Sequence, residues 1–126
     1  MKRMAVLGMT VASVAAAGLA LAAPASASSQ LTIYTNGTAA GIGQFQSYGE
    51  HFYACDVKTD GYGVQVDWYV ASNPSNSGSV RDGNGNNGDC ATQNASISEG
   101  KTVKYRVCLT NNGSEIACTA YVNDTA

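Results

Sequence analysis

Between Val64 and Val70 the chain alternates strictly. Val64, Val66, Trp68 and Val70 fall on one side, and Gln65, Asp67 and Tyr69 on the other. A two-residue period describes a β-strand with one buried face, and it places Trp68 at the centre of a core. No stretch from Ser28 onward keeps a 3.6-residue apolar period over three turns, so no substantial helix is expected. The same reading predicts strands at 31–35, 41–47, 51–57, 63–71, 77–81, 94–98, 102–110 and 115–123, with Gly, Asn, Asp and Ser between them. Strands of this length and spacing imply an all-β fold: a two-sheet antiparallel sandwich of immunoglobulin-like shape.

Residues 1–27 have a different character. Lys2 and Arg3 form a basic start, 4–23 are almost wholly Ala, Val, Leu, Gly and Met, and Ala25-Ser26-Ala27 gives a small-x-small ending. This is the pattern of a secretory signal peptide cleaved after Ala27. Pro24 and the Ala-rich end favour cleavage over retention as a membrane anchor. The remaining 99 residues, 28–126, suffice for one small domain. Without Lys2 and Arg3, five Lys and Arg face nine Asp and Glu, a net charge of −4. Nucleic acid and anionic membranes both select clustered Lys and Arg, so neither is an expected partner. The expected product is a secreted, extracellular monomer.

All four cysteines, Cys55, Cys90, Cys108 and Cys118, lie in this domain. An even count in an exported chain reads as two disulfides. A zinc site would need close C-x2-4-C pairs, which are absent, and there is only one His. In the last hairpin Val103, Tyr105, Val107 and Leu109 alternate inward, and Ile116, Cys118, Ala120 and Val122 are expected to do the same. Asn112-Gly113 favours a two-residue type I′ turn, which would put Cys108 and Cys118 on opposite faces. A three-residue turn with a Gly bulge shifts the register by one and sets them opposite each other. Of the three possible pairings we favour this one, with Cys55–Cys90 as the second bridge. The loop-closure model gives the two bridges about 3 and 4 kcal/mol respectively.

The segment Tyr48-Gly49-Glu50-His51-Phe52-Tyr53-Ala54-Cys55-Asp56, followed by Asp60-Gly61, resembles a pattern of Gly-acid-His-aromatic, Cys-Asp and Asp-Gly. That pattern occurs in small, largely uncharacterised exported proteins of actinobacteria. The resemblance implies a β-sandwich and no particular activity.

Three constellations could carry function. Asp82, Asn84 and Asn86 repeat oxygen side chains at every second position, and Asp89 adds a carboxylate, as a calcium loop requires. Asn87 stands where an EF-hand needs Gly, and no bidentate Glu closes the loop, so a polar connecting loop is the plainer reading and no cofactor is expected. Glu50-His51 supplies an acid and the only imidazole, but no Gly-x-Ser-x-Gly elbow accompanies it. Carboxylates for glycoside hydrolysis could be drawn from Glu50, Asp56, Asp60 and Asp67 without any pair standing out. Catalysis is therefore not expected.

Tyrosines offer more. Tyr48, Tyr53, Tyr62 and Tyr69 crowd the second to fourth strands, and Tyr48, Tyr62 and Tyr69 are the candidate ligand-binding residues. Exposed Tyr rings stack on apolar sugar faces or anchor protein partners. The expected function is a non-catalytic module binding a polysaccharide, a cell wall or a protein. The alternative is an inhibitor of an extracellular enzyme, using 72–79 with Pro74, or the loop 82–89, as a rigid plug.

Overall fold

Alternation like that of 64–70 recurs along the chain, and the computed structural model, which describes residues 28–83 and 85–126, turns it into nine strands. These are β1 (Ser28–Thr35), β2 (Thr38–Gln46), β3 (His51–Asp56), β4 (Gly63–Val70), β5 (Asn73–Asp82), β6 (Ala91–Asn94), β7 (Thr102–Asn111), β8 (Ser114–Cys118) and β9 (Val122–Thr125). The leader 1–27 and Asn84 lie outside the described residues. One sheet has the order β1-β2-β3-β6, the other β5-β4-β7-β8, with β9 also on β7. Every pairing is antiparallel, and the described residues contain no helix.

The inward faces meet in an aromatic core. Trp68 is buried and stacks on Phe52 at 4.8 Å with planes 7° apart. Phe45 packs on Phe52 at 4.7 Å, and Tyr105 closes the group at 6.3 Å from Phe52. The two polar handles are satisfied: Trp68 Nε1 donates to Gln93 Oε1 at 2.8 Å, and the Tyr105 hydroxyl bonds Ser29 Oγ at 2.6 Å. Buried aromatics with satisfied N–H and O–H groups give large apolar area at little polar cost.

Both disulfides form as expected, Cys55–Cys90 and Cys108–Cys118. Each stays within one sheet. Cys55–Cys90 continues the β3–β6 ladder beyond Ala54 and Ala91, and Cys108 is the direct partner of Cys118. In an immunoglobulin domain the bridge joins the two sheets and a Trp packs against it. Here Trp68 packs on Phe52 instead.

Four expectations need correction. Residues 73–82 are an edge strand of the second sheet, so 72–79 is no projecting loop. The sixth strand is Ala91–Asn94, placed by its bond network to β3 and the bridge at Cys90; 95–98 follow it outside any strand. The turn is two residues long, with Asn111 paired to Ser114 and positive φ at Asn112 and Gly113 (49° and 84°), as type I′ requires. The one-residue slip comes instead from Ile116, which has no partner between the pairs Thr110–Glu115 and Leu109–Ala117. Finally, Ile116, Cys118 and Ala120 are exposed, not inward. The first sheet packs on β4, β5 and β7, which leaves β8 nothing to be buried against.

A second slip follows. The predicted strand 115–123 breaks at 119–121, where the Thr119 hydroxyl accepts the Val107 N–H at 3.2 Å and the Thr119 N–H donates to the Val107 carbonyl at 2.9 Å. A side-chain oxygen thus stands in for a ladder carbonyl. Pairing resumes one residue later, with Tyr105 opposite Val122 and Lys104 opposite Asn123.

Candidate functional site

The second slip decides what faces solvent. Had the Cys108–Cys118 register continued, Tyr121 would oppose Tyr105 on the core side. In the register of β9 it stands across from Arg106 on the outer face. Asp67 pairs with Arg106 on one side and Ser79 on the other. Ser79, Asp67, Arg106 and Tyr121 therefore form one row across β5, β4, β7 and the β8–β9 link.

Contacts along this row are continuous. Ser79 Oγ donates to Asp67 Oδ1 at 2.8 Å, Arg106 pairs with Asp67 Oδ2 at 3.2 Å, and the Arg106 guanidinium lies 4.8 Å from the Tyr121 ring centre. Glu115 reaches in from β8: Oε2 pairs with Arg106 Nη2 at 3.0 Å and Oε1 accepts Gln65 Nε2 at 2.8 Å. The next row brings Tyr69, whose ring meets Tyr121 edge to face at 5.2 Å and 72°. Gln65, Asp67, Tyr69, Ser79, Glu115 and Tyr121, with Ser77 and Pro74, line a shallow groove of about 470 Å³, with Arg106 bound to its acids.

The two acids of the groove differ in proton affinity. Burial raises the Asp67 carboxyl, but hydrogen bonds with Glu115, Gln65, Ser79 and Arg106 outweigh it and hold Asp67 below the ordinary range. Glu115 is pushed above its ordinary value, first by the hydrogen bond it makes with Asp67 and then by desolvation. The two carboxylates are coupled, and of the two Glu115 is the one whose proton affinity is raised.

The tyrosines chosen from the sequence do not share a face. Tyr69 lies in the groove, whereas Tyr48 sits 81% exposed in the β2–β3 turn. Tyr62 lines a separate cavity of about 440 Å³ between the 57–62, 83–90 and 112–113 connections. In that cavity Arg81 forms no ion pair among the described residues, and Asp60 Oδ2 and Thr110 Oγ1 are buried without a hydrogen-bond partner. Tyr53 bonds Gln46 Oε1 at 3.1 Å within the first sheet. Tyr121, Arg106 and Glu115 escaped the sequence reading: Arg106 and Glu115 meet only through the pairing of β7 with β4 and β8, and Tyr121 reaches them only through the slip at 119–121.

The calcium candidates are placed as follows. Asp82 is 3% exposed, and its Oδ2 accepts the Asp56 N–H at 2.9 Å, which ties the end of β5 to the end of β3. Asn86 and Asp89 lie on the exposed loop, where the Asp89 N–H donates to Asn87 Oδ1 at 3.0 Å. Asn84 lies outside the described residues. Asp56 titrates above its ordinary range through burial, offset in part by the Lys58 N–H and reinforced by Asp60 and Asp82. Among the described residues, the one group of three Cys, His, Asp or Glu side chains with converging ligand atoms is Cys108, Glu115 and Cys118. Its two sulfurs are already joined to each other.

Glu50 and His51 likewise serve the fold. Glu50 Oε2 accepts the Ile97 N–H at 2.9 Å, and His51 packs its ring 6.1 Å from that of Tyr53. Among the described residues His51 makes no hydrogen bond to a Ser or to Glu50. Comparison with known families, characterised proteins and solved structures finds no match to this chain.

Proposed function

We propose that this is an exported, non-catalytic binding module that holds an extracellular glycan on the outer face of the second sheet. The observation that carries the reading is the Tyr69–Tyr121 pair beside a polar set already ordered by mutual bonds: Gln65, Asp67, Ser79, Arg106 and Glu115. Side chains ordered before binding lose little entropy on contact, and a groove that is polar yet rimmed by aromatic rings suits a sugar's mixed surface. Two disulfides accord with an oxidising, extracellular setting, and with the leader they support export.

The test is retention of the oxidised domain on chitin, cellulose and bacterial cell wall, with and without calcium chelation. Tyr121→Ala and Tyr69→Ala should abolish retention while leaving the melting temperature within a few degrees. Retention unchanged in both variants would refute the face. An inhibitor acting through residues 83–90 is the second reading, favoured by the anchoring of that loop at both ends, through Asp82 to Asp56 and through Cys90 to Cys55.

A further inference from the structure

Charge in the groove does not balance. Asp67 and Glu115 bring two carboxylates, and among the described residues Arg106 is the one cation paired with either. Lys104, in the neighbouring row, donates to Asn123 Oδ1 at 2.9 Å. Both acids thus share one guanidinium, Asp67 at 3.2 Å and Glu115 at 3.0 Å. A second cation delivered here would offset the second carboxylate and add charge-assisted hydrogen bonds to the pair.

Aromatic geometry points the same way. The Tyr121 ring already holds one cation, Arg106, at 4.8 Å, and Tyr69 meets Tyr121 at a near-right angle, so the pair forms a corner with π density on its walls. Such corners bind ammonium groups when carboxylates stand beside them. Ser77, Ser79 and Gln65 line the rest of the groove and supply hydroxyl and amide partners, so the ligand carries hydroxyls as well as a charge. The groove is shallow and open, and the net charge of −4 over residues 28–126 draws a polycation toward it.

We propose that the ligand of this face is a glycan bearing free amino groups, a de-N-acetylated glucosamine polymer in type, whose ammonium groups dock between Asp67, Glu115 and the Tyr69–Tyr121 corner. The proposal rests on the glycan-binding reading of the same face and adds the charge of the ligand. A neutral or N-acetylated glycan could stack on the tyrosines, yet it would leave the acid pair as it is.

The experiment is calorimetric titration of the oxidised domain with a glucosamine hexamer and with its N-acetylated counterpart, at about pH 6, where amino groups of the α-amino type are protonated. The amine hexamer is expected to bind at least about tenfold more tightly, with the advantage shrinking as salt is raised. Glu115→Gln should erase most of that advantage, and Tyr121→Leu should weaken both ligands. If the two hexamers bind equally and Tyr121→Leu abolishes both, the amine preference is wrong and the face stands. Binding that ignores Tyr121→Leu places the glycan elsewhere and overturns both conclusions, as does the failure of both hexamers to bind.

Discussion

Gly43 offers the sharpest test of how the two sheets pack. It faces inward on β2, and a Cβ built there would lie 2.8 Å from Val66 Cγ2 and 3.1 Å from Val107 Cβ. Carbon atoms in contact settle at about 3.5–4.0 Å, so Gly43→Ala forces β2 away from β4 and β7 by several tenths of an ångström. Overpacking of this kind costs about 1–3 kcal/mol, offset by about 0.5–1 kcal/mol because Ala loses less backbone entropy than Gly. The net loss is on the order of 1–2 kcal/mol, or a fall of about 4–16 °C in Tm for a domain of this size. Gly61 is the control for conformation alone: its φ is 80° and a Cβ there has no neighbour within 4 Å. Gly61→Ala should cost about 1 kcal/mol through the turn, with the core unchanged. Thermal unfolding by circular dichroism, with the near-ultraviolet signal of Trp68 as a packing probe, separates the two. Gly43→Ala with unaltered Tm and Trp68 signal would show that β2 does not lie this closely over β4 and β7.

Two further outcomes follow from the bridges and the acid pair. Replacing Cys55 and Cys90 by Ala should cost about 4 kcal/mol, and replacing Cys108 and Cys118 about 3, since the closed segments differ, 35 residues against 10; denaturant unfolding that reverses the order would refute the loop-closure account. The Asp67–Glu115 pair predicts a pH signature. Asp67, held low, adds stability above its unfolded pKa that is lost as pH falls through its folded value; Glu115, held high, adds stability at low pH that is lost as pH rises through its folded value. Glu115→Gln can still donate to Asp67 but cannot ionise, so its Tm relative to the parent should climb between about pH 4 and 7. A flat difference over that range would mean that Asp67 does not raise the proton affinity of Glu115.

Sequence alone determined the parts of this protein that depend on local alternation and chemistry. The inward set Val64, Val66, Trp68 and Val70, the inward set Val103, Tyr105, Val107 and Leu109, a turn at Asn112-Gly113 and the presence of two disulfides are legible there. Each rests on a period of two, on the φ > 0 preference of a turn, or on an even thiol count. Tertiary structure alone decided which residues meet on the outer face. Two one-residue slips, at Ile116 and at Thr119–Tyr121, carry Ile116 into solvent and swing Tyr121 from the core side to Arg106. A slip leaves composition and period untouched but reverses the face of every residue after it, and its position is set by long-range partners: the Cys108–Cys118 bridge and the Val107 N–H that donates to the Thr119 hydroxyl. The groove exists because those partners sit on β7, and no local feature of residues 115–123 announces them.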